Sequence, residues 1–142
     1  MLLSKEIAVY LNLSACKLKQ YTAAILRQNN VGLTPEQFLL IDLLWNQGSM
    51  TQQQMADAMH KDKNSITKLV DALEKKGLVI RQQDKTDRRS NRLLLTPAAE
   101  EMKSGAKECG ISMLDSILSG IDEDELRSFL TTLGKITDNM SR

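Results

Sequence analysis

Apolar residues recur at three- and four-residue steps along most of this 142-residue chain, and this spacing predicts amphipathic α-helices. The first predicted helix runs from Leu3 to about Asn29 and presents an apolar seam suited to another helix. A second helix is predicted after Thr34, because Pro35 suits a first helical position and Gln37 completes a capping box. Its nearly continuous apolar run, residues 38–45, predicts a helix that is buried on most sides.

Two shorter helices are predicted between residues 51 and 77. Thr51 and Gln54 supply a capping box at the start of the first one. Asp62 is the predicted N-cap of the second, where a carboxylate also suits the helix dipole, and Gly77 ends it. The inward side of this second helix is composed of Ile66, Leu69, Val70 and Leu73. Its outward side is composed of Lys63, Asn64, Ser65, Thr67, Lys68 and Asp71.

A β-hairpin is predicted directly after these two helices. The apolar residues that alternate along its strands are Leu78, Ile80, Leu93 and Leu95. The turn between the strands spans residues 84–91 and includes Arg88 and Arg89. A polar helix face alone is more often an ordinary solvated surface, but a basic hairpin tip beside it predicts a winged helix-turn-helix. In that fold the helix enters the major groove of DNA and the wing arginines reach the minor groove.

The same segment resembles the MarR family of bacterial transcription regulators. The residues that carry the resemblance are Thr51 and Met55-Ala56 in the first helix, residues 67–79 in the second helix and strand, and Asp87, Arg89 and Leu93 in the wing. The linker 59–61 departs from the pattern, since family members often have Leu-Gly there. The resemblance implies a dimer that binds DNA and releases it when a small compound, often aromatic or anionic, is bound.

Two helices are predicted after the wing. Thr96 caps the first and Pro97 opens it, and Asp122 with Glu125 is the predicted cap of the second. Both carry apolar stripes, and neither has a core of its own nearby. The simplest partner for such stripes is a second copy of the chain related by a two-fold axis. A monomeric bundle with these helices folded inward is the alternative.

The predicted fold is mainly α-helical with a small β-hairpin wing, that is, a winged helix-turn-helix with N- and C-terminal dimerisation helices. Residues 34–96 are the predicted DNA-binding domain. Residues 1–33 and 97–142 are the predicted helical dimerisation region.

Charge is unevenly distributed, although the net charge of the whole chain is only +1. Residues 60–92 carry ten Lys/Arg and five Asp/Glu, a net +5, whereas the rest carries nine and thirteen, a net −4. Positive charge is thus concentrated where a DNA backbone would lie. No segment has the apolar length of a membrane span, and residues 1–27 lack the features of a signal peptide. The sequence therefore predicts a cytoplasmic protein.

No pattern in the sequence predicts catalysis, a cofactor or a metal site. Gly-rich phosphate loops and nucleophile elbows are absent from the sequence. His60 stands alone, whereas a metal site needs several donors at workable spacing. Cys109 lies on an apolar stripe, which favours packing. Cys16 lies beside two lysines, and a thiol redox sensor is the minority interpretation of that position.

The predicted function is a dimeric, ligand-responsive repressor that binds a near-palindromic operator in double-stranded DNA. The predicted DNA-binding residues are Thr51, Lys63, Asn64, Ser65, Thr67, Lys68, Arg88, Arg89 and Ser90. The resemblance implies an effector pocket between the dimer arms and the DNA-reading unit, with a plain core as the alternative. The pocket residues would be Leu11, Ala15, Phe38, Ile41, Trp45 and Met113.

Two other functions stay open at this point. One is a redox-sensing regulator that acts through Cys16. The other is a winged-helix module that docks on protein and not on DNA, which calls for an exposed apolar patch. Arg88, Arg89 and Arg92 beside a basic helix favour DNA.

Overall fold

A computed structural model describes residues 2–142 of the chain, and this described part contains seven α-helices and three short strands. The helices are α1 (Leu3–Gln28), α2 (Pro35–Gln47), α3 (Gln52–Met59), α4 (Lys63–Lys75), α5 (Pro97–Glu101), α6 (Lys103–Ile117) and α7 (Glu123–Met140). The strands are β1 (Met50–Thr51), β2 (Val79–Gln83) and β3 (Asn91–Leu95). They form an antiparallel sheet in the order β1-β3-β2. The predicted mainly helical, winged helix-turn-helix fold is confirmed, and β1 is a strand that the sequence did not predict.

Local side-chain caps fix where the central helices begin. The Thr34 hydroxyl accepts the N–H of Gln37 at 3.2 Å, and the Gln37 side chain accepts the N–H of Thr34 at 3.1 Å. Thr51 and Gln54 form the same reciprocal pair at 3.0 and 2.9 Å. Both predicted capping boxes are therefore confirmed.

The C-terminal helices differ from the prediction in two places. The helix that Pro97 opens is interrupted at Met102, so that α5 and α6 are separate segments. Asp122 occupies the N-cap position of α7, as predicted, but among residues 2–142 its carboxylate accepts no capping hydrogen bond. The first turn of α7 instead carries three consecutive acidic residues, 123–125, whose charges suit the helix N-terminus without a side-chain cap.

The core lies where α2, α3, α4 and the sheet meet. Leu40 and Ile41 on α2 have no exposed surface, and neither has Leu93 on β3. The prediction that α2 is buried on most sides holds, with Leu39 as the exposed exception at 47%. In a close-packed core, the volumes of the side chains determine how the helices are placed relative to one another.

The face of strand β2 that packs on the core is not the face that carries Ile80. Val79 is 1% exposed, whereas Ile80, one of the apolar positions of the predicted alternation, is 48% exposed. Val79 pairs with Leu95 and Arg81 pairs with Leu93, which places these side chains on one face of the sheet. Two adjacent apolar residues leave the phase of a strand undetermined, and here the register with β3 decides it.

Internal packing separates the described chain into residues up to Gly110 and residues Ile111–Arg142, with the boundary inside α6. The first unit contains the sheet and the hydrophobic core. In the second unit Phe129, Leu130 and Met140 of α7 are exposed. The predicted domain limits, 33/34 and 96/97, stay a prediction; residue 1 lies outside the described part. No helix in the described part is both long and apolar enough to cross a bilayer.

The phase of β2 generates a stability prediction. Val79→Ala removes buried methyl groups and is expected to lower the free energy of unfolding by about 1–3 kcal/mol. Ile80→Ala removes more atoms from the adjacent position but from an exposed side, so its expected cost is below about 1 kcal/mol. Urea unfolding of both variants at one protein concentration measures the difference. A larger loss for Ile80→Ala would contradict the observed phase.

Candidate nucleic-acid interface

Helix α4 buries one side, on which the predicted inward residue Leu69 is half-buried, and exposes the other. Ile66, Val70 and Leu73 are 0% exposed and stand three to four residues apart. The exposed side chains in the first two turns are Lys63, Asn64, Thr67 and Lys68. Ser65, which was predicted to face outward with them, is half-buried. A row of cationic and amide groups on one helix face can contact both phosphates and base edges.

The start of α4 is fixed by the carboxylate that precedes it. Asp62 Oδ1 accepts the backbone N–H of Ser65 at 2.7 Å, which confirms the predicted N-cap. This hydrogen bond from the Ser65 backbone is the main cause that lowers the pKa of Asp62 below its ordinary value of 3.8, and Lys61 and Lys68 add to it. The cap therefore stays ionised and places a negative charge at the positive end of the helix.

The wing turn is closed by hydrogen bonds from its own backbone and from Asp87. The N–H of Asp84 donates to the carbonyl of Ser90 at 2.9 Å, and the N–H of Ser90 donates to the carbonyl of Asp87 at 3.0 Å. Asp87 Oδ1 accepts the N–H and the Nε–H of Arg89 at 3.0 and 3.4 Å. The Arg89 side chain is nonetheless 93% exposed. Asp87 thus holds the turn and orients Arg89, and the arginine remains free to meet a partner.

The start of α3, the start of α4 and the wing turn enclose a polar cleft of about 170 Å³. Four predicted site residues line it together, namely Lys63, Thr67, Arg89 and Ser90. Four residues that were not predicted complete the lining, namely Gln52, Gln53, Ile66 and Asn91. The other predicted residues lie outside this lining. Asn64, Lys68 and Arg88 are exposed, Ser65 is half-buried, and Thr51 is the half-buried N-cap of α3.

Comparison with known proteins identifies the family. The family model described as "MarR family" matches residues 33–90. The HTH-type transcriptional regulator MhqR of Bacillus subtilis (strain 168) is 30% identical over 105 residues, which cover 74% of this chain and 72% of that protein. The chain belongs to the MarR family.

Two solved MarR-like structures share this fold over nearly the whole chain. The MepR–DNA complex of S. aureus is 22% identical with a TM-score of 0.82, and the match covers 93% of this chain and 96% of that one. The organohalide-sensing regulator RdhR, in its 2,4-dichlorophenol-bound form, is 20% identical with a TM-score of 0.84. That match covers 98% of this chain and 82% of the other.

The turn between α3 and α4 explains the departure from the family pattern. His60, the C-cap of α3, adopts a left-handed conformation with φ 53° and ψ 45°. Glycine adopts this conformation without steric cost, which accounts for the glycine that family members often have in this turn. Histidine is among the residues that tolerate it. The exposed His60 thus preserves the turn without a glycine.

The predicted effector-pocket residues lie at positions of different burial. On α1, Leu11 is half-buried and Ala15 is exposed. On α2, Ile41 and Trp45 are core residues at 0% and 8% exposure. Phe38 is half-buried, and its ring meets that of Trp45 edge-to-face, with centroids 6.4 Å apart and planes at 81°. Met113 lies on α6 beyond Gly110, in the second unit.

The cysteines and potential metal ligands are placed as follows. Cys16 is an exposed free thiol on α1, and Cys109 is a half-buried free thiol on α6. Within residues 2–142, no group of three or more His, Cys, Asp or Glu side chains is placed to hold a metal ion.

Two arginines have roles that the sequence did not reveal. Arg92, grouped in the sequence with the wing arginines, lies on β3 and donates to the carbonyl and hydroxyl of Ser49 at 3.0 and 2.9 Å. Arg81 on β2 points to the inward face and contacts α3 and α4. A signal for Arg81 was present, since a cation that directly follows the apolar residues 78–80 requires acidic partners if it faces the core. Without the phase of β2 the pattern does not locate it.

A small ion cluster ties α1 and the α3–α4 turn to the start of α2. Glu36 accepts hydrogen bonds from Lys19 on α1 and Lys61 in the turn, with Nζ–Oε1 distances of 2.8 and 3.3 Å. The hydrogen bond from Lys19 is the main cause that lowers the pKa of Glu36 below its ordinary value of 4.5. The same pair raises the pKa of Lys19 above 10.5.

The lowered pKa of Glu36 predicts how stability depends on pH. A carboxylate whose pKa is lower in the folded state stabilises the fold above its unfolded pKa, and this contribution is lost as the pH falls through the folded value. We expect wild type to be more stable than Glu36→Gln at pH 6 and the difference to shrink below about pH 4.5. Urea unfolding of both proteins between pH 6 and pH 3 measures it. A difference that stays constant over this range would contradict the ion-pair assignment.

Proposed function

We propose that this MarR-family regulator represses transcription by binding a near-palindromic operator as a dimer, and that a small ligand releases it. The observation that carries this proposal is the shared cleft between α4 and the wing, in which Lys63 and Thr67 of the helix face Arg89 and Ser90 of the turn. A helix and a β-turn that both carry cations can together contact a DNA groove and the phosphates beside it. The DNA-bound structure of MepR, which has the same fold, supports it.

Within this interface, the exposed side chains of α4 divide by their chemistry. Asn64 and Thr67 can hydrogen-bond base edges in the major groove. Lys63 and Lys68 suit phosphates, because ammonium groups contact the backbone of any sequence equally. The exposed Arg88 and Arg89 extend the contact from the wing into the minor groove. Thr51 contributes by capping α3, because its hydroxyl and its N–H are both bonded to Gln54. Ser65 uses its backbone N–H at the start of α4, so its hydroxyl is the group that can meet a phosphate.

Dimerisation is proposed through residues 1–33 and 97–142. Helix α7 exposes Phe129, Leu130 and Met140 at 58%, 70% and 73%, and α1 exposes Ile7 and Leu18 at 43% and 45%. Large apolar side chains in such rows mark interaction surfaces, and a second copy covers them with two-fold symmetry. We propose further that the protein acts in the cytoplasm, as a regulator and not as an enzyme.

The proposed effector site lies around Phe38 and Trp45 on α2. The indole Nε1–H of Trp45 is buried, and among the described residues it has no hydrogen-bond acceptor. A buried donor without an acceptor loses free energy that a bound oxygen or anion restores. The dichlorophenol-bound form of RdhR supports a phenolic or anionic aromatic ligand.

Selecting bound duplexes from a random pool with the purified protein tests the DNA function. We expect enrichment of a two-fold symmetric sequence whose half-sites lie one helical turn apart, about 34–36 Å. Absence of any enriched sequence would favour the protein-docking module, and binding that requires oxidation or reduction of Cys16 would favour the thiol switch.

Substitutions at Asn64 and Lys68, two exposed residues one helical turn apart on α4, distinguish base reading from phosphate contact. Asn64→Ala is expected to cost roughly 1–3 kcal/mol on the selected duplex and to relax the preference at one base position. Lys68→Ala is expected to weaken all sequences alike and to reduce the salt slope by about 0.9. Titrations of the selected and a scrambled duplex at several salt concentrations measure both effects. If both variants keep the wild-type preference and slope, a different surface binds DNA.

The dimer is tested by Leu130→Glu, with Ser128→Glu as the matched control on the same helix. Leu130 is 70% exposed in the protomer, so the new charge does not disturb its fold, but it would be buried unpaired in a dimer. We expect Leu130→Glu to sediment as a monomer and to lose DNA affinity, while Ser128→Glu remains dimeric. Wild type that is monomeric at micromolar concentration yet binds the selected duplex would contradict this arrangement.

A further inference from the structure

Arg81 occupies a position in which a cation is costly without partners. It pairs with Leu93 across the β2–β3 ladder, on the face of the sheet where Val79 and Leu93 are buried. Its side chain is only 21% exposed. A charge in such surroundings is tolerated when hydrogen-bonded ionic partners surround it.

The partners of Arg81 come from both helices of the helix-turn-helix. Its Nε–H donates to Gln52 Oε1 of α3 at 2.9 Å. One terminal nitrogen donates to Asp71 Oδ1 and to the Thr67 carbonyl of α4 at 2.8 and 3.3 Å. The other terminal nitrogen donates to Glu74 of α4. The planar fork of the guanidinium thus joins the wing strand to α3 and α4 simultaneously.

The network continues into the cleft between α4 and the wing. Gln52, the first residue of α3, lies 3.5 Å from both Thr67 Oγ1 and Asn91 Nδ2, and all three residues line the cleft. Arg81 therefore holds, through Gln52, side chains that stand next to the proposed DNA contacts. A shift of Arg81 would displace both walls of the cleft.

Arg81 also compensates two negative charges on α4, the helix proposed to contact bases. Asp71 and Glu74 are 55% and 37% exposed at their side chains. Uncompensated carboxylates on the helix that enters a groove would repel the phosphates on either side. The guanidinium contacts both, so the helix keeps its basic character toward DNA.

We propose that Arg81 is a positioning residue for DNA binding, which fixes α4 against the wing and neutralises Asp71 and Glu74 without itself contacting DNA. The proposal rests on the proposed function, because it assigns how the same interface is held. It follows that most of the DNA affinity lost when Arg81 is removed is lost because the two carboxylates are no longer compensated, and not because a phosphate contact is missing.

The test compares Arg81→Gln with the triple variant Arg81→Gln/Asp71→Asn/Glu74→Gln on the selected duplex. We expect Arg81→Gln to weaken binding at least tenfold and the triple variant to recover most of that loss. The salt slope should stay near the wild-type value, whereas loss of a direct phosphate contact would lower it by about 0.9. Lys107→Gln, which removes one positive charge and a hydrogen bond to Asn46, is the matched control and should bind like wild type.

The outcomes separate this inference from the proposed function. If wild type selects no duplex, the proposed function fails. If wild type binds and Arg81→Gln binds equally well, or the triple variant shows no recovery, the positioning role of Arg81 is overturned. If circular dichroism shows that Arg81→Gln is unfolded, Arg81→Lys replaces it as the test variant. It keeps a positive charge beside both carboxylates although it cannot span α3 and α4, so binding should fall only slightly, and a loss of tenfold or more overturns the proposal.

Discussion

Burial of the apolar side of α4 is the constraint on which the candidate interface depends. Ile66, Val70 and Leu73 are all wholly buried, and a helix advances about 100° per residue. Rotation of α4 by one residue would expose Ile66 and bury Thr67, at the cost of both a lost apolar contact and an unpaired hydroxyl. The residues that build the core therefore also decide which side chains of α4 are exposed.

The ends of α4 are held by polar contacts that packing alone does not supply. Asp62 fixes its first turn. At its other end Lys76 Nζ donates to the carbonyl of Gly32 at 2.8 Å and to Gln37 Oε1 at 2.6 Å. Gln37 is buried, and its oxygen also accepts the Thr34 N–H, so the polar group is satisfied within the fold. With Arg81 at its middle, α4 is fixed along its whole length.

Features that depend on neighbours in sequence could be predicted, and features that depend on distant partners could not. The caps of α2, α3 and α4 are local, and the structure confirms them; the two sides of α4 are local too and hold except for Ser65 and Leu69, which are half-buried. The inward face of β2 depends on its register with β3, and Val79 and Ile80 satisfy the apolar pattern equally. Arg92 bonds Ser49, 43 residues away, so no local pattern reveals that its charge is engaged.

The candidate site follows the same division. Lys63, Thr67, Arg89 and Ser90 could be predicted, because an amphipathic helix and a basic turn identify their own exposed residues. Gln52 and Asn91 were missed, since they enter the cleft only through the way α3 and β3 pack.

The segment that follows helix α1 links this helix to the core and to the end of α4. Helix α1 is exposed over most of its length, and its buried residue, Leu26, lies in its last turn. The segment that follows contributes Leu33 to the core and the Gly32 carbonyl to Lys76 at the end of α4. The ion cluster around Glu36 adds a second tie, but exposed ion pairs contribute little by themselves. Residues 26–37 therefore set the direction of α1 and the position of α4 together.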